Sequence, residues 1–183
     1  MAVKTFTTGE VLTASDTNTF LANSGLVYVT STTIGTAVSS VTLSNVFNST
    51  YDDYFIKFTG GTTSASTNFL IQFGSATTEY YGSYYYDLYT GGNTGTVRRS
   101  NGANLYLGTA GGVFEGRQST TFTIASPYLA QRTTIHGFNY GAGFSGWFGG
   151  EQYSTTSFTA FTIKPDTGTM TGGTITVMGY RKA

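Results

Sequence analysis

Six tyrosines stand within eleven residues in Glu79-Tyr80-Tyr81-Gly82-Ser83-Tyr84-Tyr85-Tyr86-Asp87-Leu88-Tyr89. A tyrosine side chain is a flat apolar ring with a polar tip, which suits a core, a subunit contact or a sugar site. Sugars stack their C–H faces on such rings and hydrogen-bond nearby Asp, Asn and Tyr groups. If Tyr84 to Tyr89 is a strand, alternation places Tyr84, Tyr86 and Leu88 on one face and Tyr85, Asp87 and Tyr89 on the other. Three uses stay open for this segment: the protein's own core first, a subunit interface second, a ligand site third. Trp147, the chain's single tryptophan, lies between Gly146 and Phe148 and is expected in the core. Tyr81, Tyr84, Tyr86 and Trp147 are the candidate ligand or subunit contacts.

Catalytic chemistry finds little to work with. The one histidine, His136, reads as a satisfied turn or core residue, and a histidine metal site needs more than one ring. Asp52-Asp53 follows Asn48-Ser49-Thr50-Tyr51 and reads as a turn before a strand. Neighbouring strand positions point to opposite faces, which would separate a carboxylate pair meant to act together. No glycine-rich loop is followed by Lys-Ser/Thr and a helical stretch, so no phosphate loop is expected. Arg98-Arg99 stands among Gly, Asn and Ser and reads as a solvated loop. With no cysteine there is neither a thiolate nucleophile nor a Cys-based zinc site. We expect no enzyme, no cofactor and no metal.

The elements that must position these residues are strands. The chain has 183 residues, the size of one domain, and only 10% are charged against 16% aromatic, the reverse of a disordered composition. Nine basic and nine acidic residues cancel, so no net field draws nucleic acid or an anionic membrane. No stretch approaches the length of a membrane-spanning helix, and Met1-Ala2-Val3-Lys4-Thr5-Phe6 lacks the apolar run of a signal peptide. The 36 Thr, with Val, Ile, Tyr and Phe, suit pleated surfaces, while the 25 Gly and 17 Ser cluster between them as turns.

Period-2 alternation marks strands at Asp53–Thr59, Thr67–Phe73, Thr120–Ala125, Ser157–Ile163 and Thr174–Tyr180. Weaker signals fall at Leu26–Thr30, Val38–Leu43, Tyr84–Tyr89, Asn104–Leu107, Thr133–Phe138 and Phe144–Phe148. Ten or eleven short strands with glycine-rich turns predict an antiparallel sandwich or closed barrel. Near the C-terminus, Pro165 is expected to end a strand, and Gly168 and Gly172-Gly173 to turn the chain back to Ile175 and Val177. Residues 1–24 read differently. Thr13 caps a short helix with Asp16 at its third position and Gly25 after its end, bracketing Ala14–Asn23. So short a helix needs a surface for Leu12, Phe20 and Leu21, either an edge of the sandwich or a partner.

Two segments carry a family resemblance. Phe6-Thr7-Thr8-Gly9-Glu10-Val11-Leu12-Thr13-Ala14-Ser15-Asp16-Thr17-Asn18-Thr19-Phe20-Leu21, followed by Gly25-Leu26-Val27-Tyr28-Val29, resembles the start of bacteriophage minor tail and tail-fibre proteins. Phe161-Thr162-Ile163-Lys164-Pro165-Asp166-Thr167-Gly168 with Gly172-Gly173-Thr174-Ile175-Thr176-Val177-Met178-Gly179-Tyr180-Arg181 resembles their last two strands. Together they cover about a quarter of the chain and assign no binding residue in the middle. The resemblance implies a structural protein on the tail of the virion, assembled in the host cytoplasm, homotrimeric, bound to other virion proteins and holding a fibre or contacting the host surface; a host-surface glycan is a further candidate partner. The fold expected is a jelly-roll-like antiparallel β-sandwich over 25–183, with 1–24 as attachment segment and Leu12, Phe20 and Leu21 as its docking residues. A capsid decoration or head-fibre protein, and a free carbohydrate-binding module, are the alternatives.

Overall fold

The computed structural model describes residues 5–17, 25–89, 94–110, 118–141 and 143–181. A single helical turn, α1 (Ala14–Asp16), is followed by strands β1 (Leu26–Thr33), β2 (Val41–Leu43), β3 (Tyr51–Thr59), β4 (Thr62–Thr63), β5 (Thr67–Phe73), β6 (Tyr80–Leu88) and β7 (Thr94–Gly102). The second half supplies β8 (Leu105–Ala110), β9 (Ser119–Ala125), β10 (Thr133–Gly141), β11 (Phe144–Gln152), β12 (Phe161–Pro165), β13 (Met170–Thr171) and β14 (Thr174–Arg181). Every pairing among them is antiparallel.

The strands form an eight-stranded sheet in the order β1-β14-β3-β9-β10-β11-β6-β7 and a four-stranded sheet in the order β2-β12-β5-β8, with β13 and β4 as a small third ribbon. The apolar positions of the two larger sheets face each other. Ile56 and Phe58 of β3, Phe122 and Ile124 of β9, and Ile175 and Val177 of β14 are essentially inaccessible to water. They meet Phe69, Ile71 and Phe73 of β5 and Phe161 and Ile163 of β12 in one core. Phe58 sets its edge against Phe69 with centroids 4.8 Å apart, joining the sheets through an aromatic pair. Each such fully buried side chain is worth roughly 1.5–3 kcal/mol. The fold is an all-β, jelly-roll-like sandwich with a minimal N-terminal helix.

The C-terminal turn forms as its residues dictate. Pro165 is the last residue of β12. Gly173 has φ of +91°, and a Cβ there would come within 2.7 Å of the Gly60 carbonyl.

Several expectations are corrected. Thr13 does cap α1, its hydroxyl accepting from the Asp16 N–H while the Asp16 carboxylate accepts from the Thr13 N–H, both at 3.1 Å. The helix, however, spans Ala14–Asp16; most of the rest of the expected Ala14–Asn23 span lies outside the described residues. The strand expected at Ser157–Ile163 begins only at Phe161. Asp52-Asp53 is not a turn: both lie within β3, and Asp53 Oδ1 accepts from the Ser126 N–H at 3.2 Å. Arg98-Arg99 is not a loop but the middle of β7, an edge strand paired with β6. There Arg98 points outward, and Arg99 lies over the Tyr106 ring, 4.3 Å from its centroid.

Candidate aromatic binding groove

Strand alternation gives the large sheet an outer face that the small sheet does not cover. Along β10 every second residue from Thr133 to Gly141 is buried, leaving His136, Phe138 and Tyr140 exposed on the outer side. The register then aligns outer residues in rows across four strands. Phe138 lies opposite Trp147, Trp147 opposite Tyr85, and Tyr85 opposite Thr96. One row along, Tyr140 lies opposite Ser145, Ser145 opposite Asp87, and Asp87 opposite Thr94.

These rows line an open groove of about 560 Å³, within the range of small-molecule sites. Its centre is a stacked pair. The Tyr85 and Trp147 rings are 4.3 Å apart at their centroids and 18° from parallel. That separation is close to the ~4.8 Å between neighbouring strands, so the rings stand upright face to face. Trp147 remains 53% exposed, beside Phe138 at 68% and Tyr140 at 56%. Tyr89 extends this end, its centroid 5.8 Å from that of Tyr140, and its hydroxyl donates to the Phe144 carbonyl at 3.0 Å. Desolvation, with the Tyr140 hydroxyl beside it, pushes the Tyr89 hydroxyl above its usual pKa. It is a neutral donor at physiological pH.

The groove rests on a rigid inner layer. Beneath it the buried Asn139 side chain accepts from the Tyr84 hydroxyl at 3.2 Å and the Thr109 N–H at 3.1 Å, and donates to Thr120 Oγ1 at 2.9 Å. Gln118 Nε2 donates to the same Thr120 oxygen at 2.6 Å. Tyr84 stacks on Tyr86, centroids 5.4 Å apart, and burial pushes the Tyr84 hydroxyl pKa up. Buried polar groups paired this fully hold neighbouring strands in one register.

The candidate residues divide accordingly. Trp147 is not a core residue; it is the exposed centre of the groove. Tyr84 is fully buried, so it supports the groove from below and cannot touch a ligand. Tyr86 shares the inner layer with it while bordering the groove. Tyr81 is outside the groove, edge-on to Tyr153 with centroids 5.8 Å apart. His136 is neither turn nor core but exposed on β10. Leu12 is 50% exposed, while Phe20 and Leu21 lie outside the described residues. Phe138 and Tyr140 were missed; their spacing from His136, two and four residues on, puts three rings on one strand face and is the signal that marks them.

The groove offers ring faces for stacking, the Asp87 carboxylate as acceptor, and the hydroxyls of Ser145, Thr94 and Thr96. Among the described residues no cluster of three metal-ligating side chains occurs, and the groove pairs no general acid with a general base.

No family model and no curated protein matches this chain. Among solved structures, galectin LEC-6 from Caenorhabditis elegans is similar over 79% of this chain and 94% of that one, at 14% identity and a TM-score of 0.37.

Proposed function

We propose that this protein is a non-enzymatic carbohydrate-binding sandwich carried on the tail of a bacteriophage particle, where its outer groove meets a glycan of the host surface. The observation that carries the binding half is the upright Tyr85–Trp147 stack, with exposed Phe138 and Tyr140 beside it and Asp87 and Ser145 at its end. Saccharide rings present apolar C–H faces edged by hydroxyls, which matches flat aromatic walls edged by hydrogen-bonding groups. The particle half rests on the resemblance of the two terminal segments. In this reading residues 1–24 attach the protein to the virion.

Trp147 is the chain's single tryptophan, so its fluorescence reports on the groove directly. A glycan array, followed by titration of the hits against Trp147 emission, tests the reading. Saturable quenching of Trp147 emission, with a calorimetric affinity for the same glycan that Trp147→Ala weakens, supports it; an array without hits ends it.

A second reading uses the same surface differently. Phe138, Tyr140 and Trp147 form an exposed apolar patch on one face, and such patches also mark subunit contacts. The resemblance implies a homotrimer. Light scattering separates the two, because an interface through this face predicts that Trp147→Ala returns the protein to a monomer of 19.5 kDa.

A further inference from the structure

Beside the aromatic row lies a row of different character. His136 on β10 is opposite Gly149 on β11, Gly149 opposite Ser83 on β6, and Ser83 opposite Arg98 on β7. All four occupy outward positions, and His136 and Arg98 are exposed. Two small residues thus lie between an exposed imidazole on β10 and an exposed guanidinium on β7, one row along from the aromatic row of the groove.

Gly149 is the telling residue. Other strand glycines here have no room for a side chain: a Cβ at Gly82 or Gly150 would come within 3.0 Å of neighbouring backbone or of Leu105, and one at Gly137 or Gly146 would overlap the adjacent strand. Gly149 is not crowded. A Cβ there would meet nothing nearer than the Ile135 carbonyl, 3.7 Å away, and its φ is not in the left-handed region. Neither packing nor backbone geometry requires a glycine, and a strand interior is weakened by one. Such a glycine marks a place where something else approaches the backbone.

Arg98 gives the approaching group its charge. Among the described residues the ion pair on this face is Arg132 with Glu151 at 3.6 Å, and Arg98 has no carboxylate partner. The groove's own carboxylate, Asp87, lies four residues from Ser83 along β6, about 13 Å from the Arg98 row at the rise of a strand. The surface is therefore polarised: an anionic acceptor at one end, stacked rings in the middle, a free guanidinium at the other. A guanidinium fork matches a carboxylate in plane and charge.

We propose that the groove continues over Gly149 as a second subsite, and that its ligand is an acidic oligosaccharide whose uronic-acid carboxylate pairs with Arg98. This inference rests on the carbohydrate reading of the groove. A neutral sugar ring stacks against Trp147, and the next ring crosses the Gly149–Ser83 floor with its carboxylate toward β7 and its hydroxyls toward His136.

The test uses the full chain and uronic-acid tetrasaccharides, each beside its counterpart with carboxyls reduced to alcohols, titrated against Trp147 fluorescence. The acid form is expected to bind at least tenfold more tightly, with the preference shrinking as salt is raised. Arg98→Gln should bring both forms to similar affinity. Gly149→Thr should melt no lower than the parent, since a β-branched side chain suits an uncrowded strand position, yet weaken both forms by blocking the floor. Equal affinity for both forms, unchanged by Arg98→Gln, overturns the acidic subsite while leaving the groove itself standing. Unweakened binding in Gly149→Thr overturns its path over Gly149. If none of the tetrasaccharides perturbs Trp147 while array glycans do, the acidic ligand class is wrong; if neither does, the carbohydrate reading fails with it.

Discussion

The Tyr84 hydroxyl donates to Asn139 Oδ1 at 3.2 Å, directly beneath the sheet whose outer face carries Tyr85 and Trp147. Three buried polar groups, the Tyr84 hydroxyl, the Thr109 N–H and the Gln118 amide, converge on the Asn139 side chain and its acceptor Thr120, and Gly108, at φ +116°, lets β8 come close enough to join them. A side chain at Gly108 would overlap Asn139.

Asn139→Leu strands the Thr109 N–H and the Tyr84 hydroxyl in the interior. Each buried group left without a partner costs about 1–3 kcal/mol, so with two stranded the variant should lose about 2–6 kcal/mol in denaturant unfolding. Binding to the groove should weaken as well, because the strands carrying Phe138 and Tyr85 lose their tie. A variant as stable as the parent would show that the network is dispensable.

Trp147→Ala separates function from folding in the opposite sense. The ring is more than half exposed and its main partner is Tyr85, so the loss of stability should stay near the 0.5–1.5 kcal/mol of an aromatic pair. Saccharide affinity should fall at least tenfold, about 1.4 kcal/mol or more. Calorimetric melting and titration on the same preparation check both halves.

That contrast was only half legible in the sequence. Alternation in Tyr54-Phe55-Ile56-Lys57-Phe58 declares its inner face, because apolar residues hold one parity and Lys57 the other. In Gly146-Trp147-Phe148 both parities hold large rings, and a period of two leaves inside and outside undecided. What decides is crowding across the sandwich: Gly146 sits against the Tyr84 ring and Gly150 against Leu105, so this parity turns inward with Phe148, and Trp147 turns out. Arg98-Arg99 hid β7 for a related reason. An edge strand with few apolar residues owes its existence to pairing with β6, a tertiary fact that no local pattern carries. The tyrosine-rich segment does form a strand, though it runs Tyr80–Leu88 and leaves Tyr89 beyond its end, and the two-face division holds, with Tyr84 and Tyr86 inward and Tyr85 outward.

Alkaline pH should unfold the protein through Tyr80. Its hydroxyl is fully buried, accepts from the Phe73 N–H at 2.7 Å, and is pushed by burial from 10.0 up to about 12. Burial shifts Tyr54 and Tyr84 in the same direction. An unfolded chain releases the Tyr80 proton near pH 10 and the folded one only near 12. The stability from keeping it neutral is complete below pH 10 and is lost as pH rises through 12, roughly 2–3 kcal/mol for a shift of this size. The melting temperature should hold level from pH 7 to 9 and fall beyond 10. A level profile to pH 11.5 would contradict the assignment.

The last prediction concerns residues 1–24. Strand β1 begins at Leu26 and is stitched to β14 along its length. Preceding it, residues 5–17 hydrogen-bond within themselves: the Glu10 carboxylate accepts from the Thr7 N–H at 3.1 Å, Thr13 caps α1, and the Thr17 N–H donates to the Thr13 carbonyl at 3.0 Å. Val11 is 77% exposed and Leu12 50%, so their apolar surface contributes little to the sandwich and much to any partner that covers it. Deleting residues 1–24 should therefore shift the melting temperature by no more than about 2–4 °C, the size of a 1 kcal/mol change in a domain of this length. Saccharide binding should be unchanged, since Trp147 and Tyr85 lie on other strands. Incorporation into phage particles, followed by immunoblot of purified virions, should be lost. A truncated chain that is insoluble or melts far lower would assign the segment to the sandwich, and one that enters particles at normal levels would end its role as an anchor.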